Sequence, residues 1–135
     1  MRKSAVLAGL RRVCLPLPEV RETVKWGHPT FEAGKKIFAV LDRYDGQPCI
    51  AFRAPLDQVD GLLADRRFKP APYAARFGWV CLEVGDSLDW AEVEELLHAS
   101  YRLVALKRML TALDRLQESS GRRGRSARQA RRNRA

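Results

Sequence analysis

The sequence has no long apolar run, and its N-terminus lacks the pattern of a secretory signal. No apolar stretch approaches the roughly 18 residues that a membrane-spanning helix needs. Arg11-Arg12 interrupts the short apolar stretch from Ala5 to Leu10 too early for a signal peptide. With 46% hydrophobic and 30% charged residues, the composition is typical of a globular protein. We therefore expect one cytoplasmic domain with no membrane contact.

Residues that bind metals or perform covalent catalysis are few. The chain has three cysteines and two histidines, and neither a Cys-x-x-Cys nor a His-x-x-x-His spacing occurs. Cys14, Cys49 and Cys81 lie far apart among apolar neighbours, which is typical of buried reduced thiols in the cytosol. No glycine-rich loop opens a helix to hold phosphates. We therefore expect no metal, no cofactor and no enzymatic activity, and we interpret His28 as a structural loop residue.

Positive charge is concentrated near the C-terminus. The net charge is +9, and residues 119–135 hold seven arginines and no acidic residue. Without this segment, 18 basic and 16 acidic residues remain, a net charge of +2. Since the segment lacks apolar residues that could order it, we predict a domain over residues 1–118 and a disordered arginine-rich tail over 119–135. The arginines of this tail, which would attract a polyanion, are Arg122, Arg123, Arg125, Arg128, Arg131, Arg132 and Arg134.

The apolar pattern alternates between helical and extended spacing and predicts an α+β fold. Asp45-Gly46 is the strongest hairpin signal, because both residue types favour a turn between two strands. The predicted elements, in chain order, are a helix from Ser4 to Cys14, a strand at 23–26 that breaks at Gly27-His28-Pro29 and resumes at 30–32, strands at 36–44 and 48–53, a helix at 55–63, a loop or short strand at 68–73, a strand at 79–84 and a long helix from Asp89 to Gln117. This order predicts an antiparallel sheet with helices on one face.

Three short runs resemble a known family. They are Trp26-Gly27-His28-Pro29-Thr30-Phe31, Gly78-Trp79-Val80 and Ser100-Tyr101-Arg102-Leu103-Val104. Together they resemble the MmcQ/YjbR family of small proteins usually described as DNA-binding, over about Leu15 to Arg108. The resemblance implies a two-layer α+β sandwich, α-β(3)-α-β(2)-α, of double-wing type with a long C-terminal helix. The motif residues to which it gives a structural role are Trp26, Gly27, His28, Pro29, Thr30, Phe31, Gly78, Trp79, Trp90, Ser100 and Tyr101.

The resemblance and the charge together predict DNA binding without strong sequence preference. Contacts to phosphates of DNA, or of RNA, would come from the tail arginines. Two further basic clusters would help, one at the start of a hairpin and one in a loop; their members are Lys35, Lys36, Arg66, Arg67 and Lys69. The alternative is a protein-interaction module with no nucleic-acid role, which binds a partner or a second copy through the sheet or the last helix.

The aromatic residues leave two interpretations open. On an open sheet face they could stack on bases, whereas beneath helices they build the core. We interpret Trp79 and Trp90 as core residues. Trp26 and Tyr73, which lie beside Gly27 and a proline, are the more open candidates.

Overall fold

The computed structural model describes residues 2–72 and 74–133, with side chains described as far as residue 120. The chain forms two compact units, residues 1–105 and residues 106–135. The first unit contains α1 (Lys3–Cys14), β1 (Val20–Lys25), β2 (His28–Ala33), β3 (Lys36–Tyr44), β4 (Gln47–Arg53), α2 (Leu56–Leu63), β5 (Phe68–Pro70), a 3-10 turn (Ala75–Phe77), β6 (Trp79–Glu83) and α3 (Trp90–Val104). The second contains α4 (Lys107–Asn133). None of the helices in the described residues is both long enough and apolar enough to cross a membrane.

Six strands form one antiparallel sheet in the order β1-β2-β3-β4-β6-β5. The first four strands are a meander, and β6 then pairs with β4, so that β5 lies at the far edge. The predicted α+β class with an antiparallel sheet is confirmed. The sheet has one more strand than predicted, because residues 20–25 and 28–33 form two strands rather than one interrupted strand.

Two hairpins of the meander turn through two residues that both have positive φ. Asp45 and Gly46 have φ values of 50° and 77°, and Trp26 and Gly27 have values of 51° and 78°. This conformation matches the right-handed twist of the flanking strands. The hairpin predicted at Asp45-Gly46 is therefore confirmed. The break predicted at Gly27-His28-Pro29 is wrong, because the chain reverses one residue earlier and His28 begins β2 opposite Lys25.

Helices α1 and α3 lie on one face of the sheet. α3 packs on β3 and β4, and α1 packs on α3. The large side chains of this core are almost fully buried, and each contributes about 1.5–3 kcal/mol by its removal from water. They include Leu10, Phe38, Leu41, Phe52, Leu97 and Tyr101.

The opposite face of the sheet, which we call the second face, carries its own small apolar cluster. Cys49, Ala51 and Cys81 are buried there together with Ala71, and Trp79 packs partly buried against them. Residues that pair across antiparallel strands point to the same face, which is why Ala51 and Cys81 meet. Trp79 thus belongs to this cluster and not to the core beneath α3. The predicted burial of the cysteines is confirmed, and Cys14, Cys49 and Cys81 are free thiols.

The long last helix differs from its prediction at two places. α3 ends at Val104, Ala105 is extended with φ −66° and ψ 145°, and α4 begins at Lys107. The predicted helix end at Ser119-Ser120-Gly121 also differs, since helical backbone continues to Asn133; disorder of residues 119–135 stays a prediction. Arginine, alanine and glutamine favour helix, which offsets the roughly 1 kcal/mol that a glycine costs. The domain boundary after residue 118 stays a prediction.

Candidate nucleic-acid interface

The motif residue Ser100 joins α3 to two strands. Its hydroxyl donates a hydrogen bond to the Phe38 carbonyl oxygen at 2.6 Å and accepts one from the Arg53 N–H at 2.9 Å. Ser100 is fully buried, so both backbone groups would otherwise lie in an apolar environment without a partner. This side chain therefore has a structural role at the place where α3 crosses β3 and β4.

Tyr101 anchors the turn that leads into β1. Its hydroxyl donates to the Pro18 carbonyl oxygen at 2.8 Å, and its ring meets the Phe38 ring edge-on with centroids 5.5 Å apart. Burial, together with the negative charge of Glu19, raises the pKa of the Tyr101 hydroxyl. The hydroxyl thus stays protonated and continues to donate.

Two further motif positions are explained by close packing. Gly78 has a φ of 92°, and a Cβ at this position would collide with the Ala54 carbonyl oxygen. Trp90 is partly buried, and its ring lies directly against the backbone of Gly9, where a Cβ would overlap the indole. The Arg12 guanidinium lies 5.9 Å from the centroid of the same ring. These contacts give Gly78 and Trp90 a role in the packing of the fold.

The Trp26–Phe31 motif separates into an exposed tip and a buried strand. Trp26 is 90% exposed at the β1–β2 turn, which agrees with its interpretation as an open aromatic residue. Thr30 and Phe31 are buried, and the Thr30 hydroxyl donates to the His28 carbonyl oxygen at 3.0 Å. His28 is in β2 rather than in the predicted loop, and its Nε2 lies 3.4 Å from Oδ1 of Asp42. Tyr73 lies outside the described residues.

Acidic, histidine and cysteine side chains do not converge on a metal site in the part of the chain that the structure describes. There, no group of three or more such residues is arranged to hold an ion.

The two predicted basic clusters lie at opposite ends of the sheet. Lys35 and Lys36 lie at the β2–β3 turn. Arg67 immediately precedes β5, and its carbonyl oxygen accepts from the Glu83 N–H at the other end of the sheet. With about 3.3 Å per residue and 4.8 Å between strands, the clusters are roughly 20 Å apart along the strands and 14 Å across them. Arg66 is adjacent to Arg67 in the sequence, whereas Lys69 points to the second face beside Cys81. One continuous contact surface from these five residues is not formed.

Arg67 is already engaged by two carboxylates. Its Nη1 lies 2.7 Å from Oε1 of Glu92, and its Nη2 lies 2.8 Å from Oδ2 of Asp65. The hydrogen bonds to Asp65 and Glu92 raise the pKa of the guanidinium, and Arg67 in turn lowers the pKa of Asp65. A phosphate would have to compete with both carboxylates for this guanidinium. The Glu92 partner is 25 residues away, and no local sequence signal indicates it.

A second group of cations surrounds Glu32 on the second face. Arg21 Nη2 lies 3.1 Å and Lys25 Nζ 3.0 Å from the Glu32 carboxylate, whose side chain is only 3% exposed. The Thr23 hydroxyl donates to it at 3.3 Å. Burial opposes ionisation, but the hydrogen bonds from Lys25 and Arg21 outweigh it and hold the pKa of Glu32 below its usual value. Sequence reasoning missed this cluster, although alternation along β1 places its three donors on one face.

The charge of the two compact units differs strongly. Residues 1–105 contain 15 basic and 14 acidic residues, a net charge of +1. Residues 106–135 contain 10 basic and 2 acidic residues, a net charge of +8. Six of the seven predicted tail arginines lie on helical backbone in α4, while Arg134 lies outside the described residues. The excess positive charge therefore belongs to the second unit.

Comparison with known proteins agrees with the motifs. A family model described as YjbR matches residues 15–103, whereas no curated protein matches the chain. A crystal structure of a Deinococcus radiodurans protein with a DUF419 domain is 22% identical, with a TM-score of 0.64 over 75% of this chain and 79% of that one. A crystal structure of a Pseudomonas syringae protein is 15% identical, with a TM-score of 0.59 over 76% of this chain and 98% of that one. Identities this low show a shared fold alone, but the family model spans well over half of the sequence. The chain belongs to the YjbR family.

Proposed function

We propose that this protein is a non-enzymatic, cytoplasmic DNA-binding protein without strong sequence preference, and that RNA is bound through the same phosphate contacts. The observation that carries the proposal is the net charge of +8 in residues 106–135, against +1 in residues 1–105. A segment of one charge sign attracts polyanions at long range and releases condensed counterions when its cations meet phosphates.

The ion pairs within residues 1–105 support a leading role in DNA binding for residues 106–135. Arg11 makes a two-pronged contact with Glu22, with N–O distances of 2.6 and 2.9 Å. Arg21 and Lys25 are bonded to Glu32, and Arg67 is bonded to Asp65 and Glu92. The carboxylate beside each of these cations repels a phosphate, which reduces the contribution of the cation to binding. Lys35, Lys36, Arg66 and Lys69 remain secondary contacts in the proposal.

The proposal is tested by comparing the full chain with residues 1–118 on a fluorescein-labelled duplex of random sequence at low salt. We expect the truncated protein to bind much more weakly, while its circular dichroism retains the signals of the sheet and of α1 and α3. Equal affinity of the two proteins would overturn the role of the tail arginines. Strong preference for one duplex sequence among several would overturn non-specific binding.

The β1–β2 tip favours the second candidate function, a protein-interaction module. Trp26 is 90% exposed and Val24 is 69% exposed, and exposed aromatic side chains are enriched at interfaces between proteins. In this alternative, association with a protein partner or a second copy is insensitive to salt and is weakened by Trp26→Ser. Sedimentation of wild-type and variant chains at low and high salt separates this candidate from DNA binding.

A further inference from the structure

A groove with a volume of about 300 Å³ crosses the second face of the sheet. Its apolar walls include Val40, Ala51, Cys81, Ala74 and Trp79, and the charged residues Asp42 and Arg43 line it as well. The volume is at the lower end of the range of small-molecule sites, roughly 300–1,000 Å³. The groove therefore has room for one flat ring system.

The two ends of this groove differ in chemistry. Trp79 follows Gly78 at the start of β6, whereas Asp42 is near the end of β3, so the pairing of the strands places them at opposite ends of the second face. An indole of this kind offers a stacking surface to any base. The Asp42 carboxylate offers hydrogen-bond acceptors, and Arg43 follows it in the lining of the groove.

Asp42 keeps acceptor capacity after its internal contacts are counted. Its Oδ1 accepts from the Arg43 N–H at 2.7 Å and lies 3.4 Å from the His28 Nε2. Its side chain is 41% exposed, and an ionised carboxylate has about four acceptor positions. A ligand with two adjacent N–H donors at the Asp42 end of the groove can donate hydrogen bonds to the remaining acceptor positions of this carboxylate. Among the nucleobases, guanine alone presents such a pair, on the edge that holds N1–H and the N2 amino group.

Cations flank the Trp79 end. Arg53 pairs with Trp79 across β4 and β6, and its Nε donates to the Phe77 carbonyl oxygen at 3.0 Å. The Arg76 guanidinium lies 4.7 Å from the centroid of the half-exposed Phe77 ring. A base that enters the groove with its donor edge toward Asp42 leaves its sugar and phosphates at the Trp79 end, on the side of the guanidinium of Arg53, with which charge-assisted hydrogen bonds can form.

We propose that the groove binds one unstacked guanine of a single-stranded nucleic acid, with the ring beside Trp79 and the N1–H and N2–H donors on the Asp42 carboxylate. This inference rests on the proposed nucleic-acid binding and adds a site at which one base is recognised. Binding along the rest of the strand remains independent of sequence.

The test measures the affinity of the full chain for two labelled strands, an oligothymidine and the same strand with one central deoxyguanosine. The oligothymidine reports phosphate contacts together with stacking that does not depend on the base. We expect the single guanine to raise the affinity about tenfold, since a good bidentate pair discriminates by roughly that factor or more. Asp42→Asn replaces an acceptor by a donor and should abolish the increment. Asp45→Asn removes the same charge at the neighbouring turn, where asparagine suits the positive φ, and should keep it.

The outcomes separate the groove from the general proposal. Binding of both strands with equal affinity would overturn the guanine site and leave phosphate binding intact. If Asp45→Asn also loses the increase in affinity that guanine gives, the increase is due to net charge, and the guanine site is overturned. If neither strand binds at low salt, the proposed function fails. The guanine site is then tested by titration with guanosine and thymidine monophosphates, in which binding is followed by the indole N–H resonances. Equal responses of these resonances to the two nucleotides would overturn the guanine site.

Discussion

The Ser100 hydroxyl of α3 donates to the carbonyl oxygen of Phe38, 62 residues earlier in the chain, at a distance of 2.6 Å. The Ser100 hydroxyl oxygen also accepts a hydrogen bond from the Arg53 N–H, so one small side chain fixes the position of α3 on two strands. The family motif at Ser100-Tyr101 is thereby explained by the packing of the fold.

Replacement of this hydroxyl should destabilise the domain. Ser100→Ala leaves a buried acceptor and a buried donor without their partner, and we expect the free energy of unfolding to fall by about 1–3 kcal/mol. Urea denaturation followed by circular dichroism measures the change. Ser87→Ala, at an exposed loop position, is the control and should stay within about 0.5 kcal/mol of wild type. Equal stabilities of the two variants would contradict the role of Ser100.

Two glycines in helices should respond to alanine with opposite signs. At Gly9 the new Cβ would overlap the Trp90 ring, whereas the space around Gly61 in α2 is open within 4 Å. Gly61→Ala should therefore stabilise the protein by about 0.5–1 kcal/mol through helix propensity, and Gly9→Ala should destabilise it by about 1–3 kcal/mol. Thermal unfolding of both variants measures the difference. Stabilisation by Gly9→Ala would show that Trp90 does not pack as described.

The Glu32 cluster should make stability depend on pH. The pKa of Glu32 is lower in the folded protein than its usual value, so its contribution is present above the unfolded-state pKa and disappears as the pH falls through the folded-state pKa. Glu32→Gln should lower the free energy of unfolding by about 1–3 kcal/mol at pH 7, because charged hydrogen bonds are lost, and by less at acid pH. Glu95→Gln, at an exposed site on α3, should show a much smaller change. If Glu32→Gln lowers the free energy of unfolding by the same amount at neutral and at acid pH, this account is contradicted.

The neighbouring arginines Arg66 and Arg67 should differ in their effect on DNA binding. Arg67 is held by Asp65 and Glu92, so Arg67→Gln should change the affinity by less than Arg66→Gln. If Arg66 contacts a phosphate, its replacement reduces the log–log salt slope by about 0.9. Salt titrations of DNA binding by the two single variants measure this difference in affinity and slope. A larger effect of Arg67→Gln would show that its carboxylate partners are displaced by DNA.

Local rules predicted one hairpin and missed the other. Asp45-Gly46 is a turn pair that favours positive φ at both positions, and the structure has the turn there. Trp26-Gly27 makes the same turn, but tryptophan is uncommon at positive φ, so the sequence favoured a break at His28 instead. The helix break at Ala105-Leu106 carries no proline or glycine, and the pattern offered no reason to end α3 at Val104.

The contacts that define the candidate sites depend on residues distant in sequence. Arg67 meets Glu92 25 residues later, and Arg21 meets Glu32 11 residues later. These pairs follow from strand register and from the position of α3, neither of which composition or periodicity specifies. The excess charge of the C-terminal segment, by contrast, is a property of composition and was predicted without a fold.

The salt dependence of duplex binding tests the central claim most directly. The wild-type chain is compared with a variant in which all seven tail arginines become glutamine, a neutral helix former, and with a matched variant in which they become lysine. If the tail engages fully, the wild type should show a log–log slope of about −6, from roughly −0.9 per phosphate contact. The lysine variant should keep most of this slope, and the glutamine variant should bind weakly with a slope of much smaller magnitude. Equal affinity and equal slope for wild type and the glutamine variant would contradict the account.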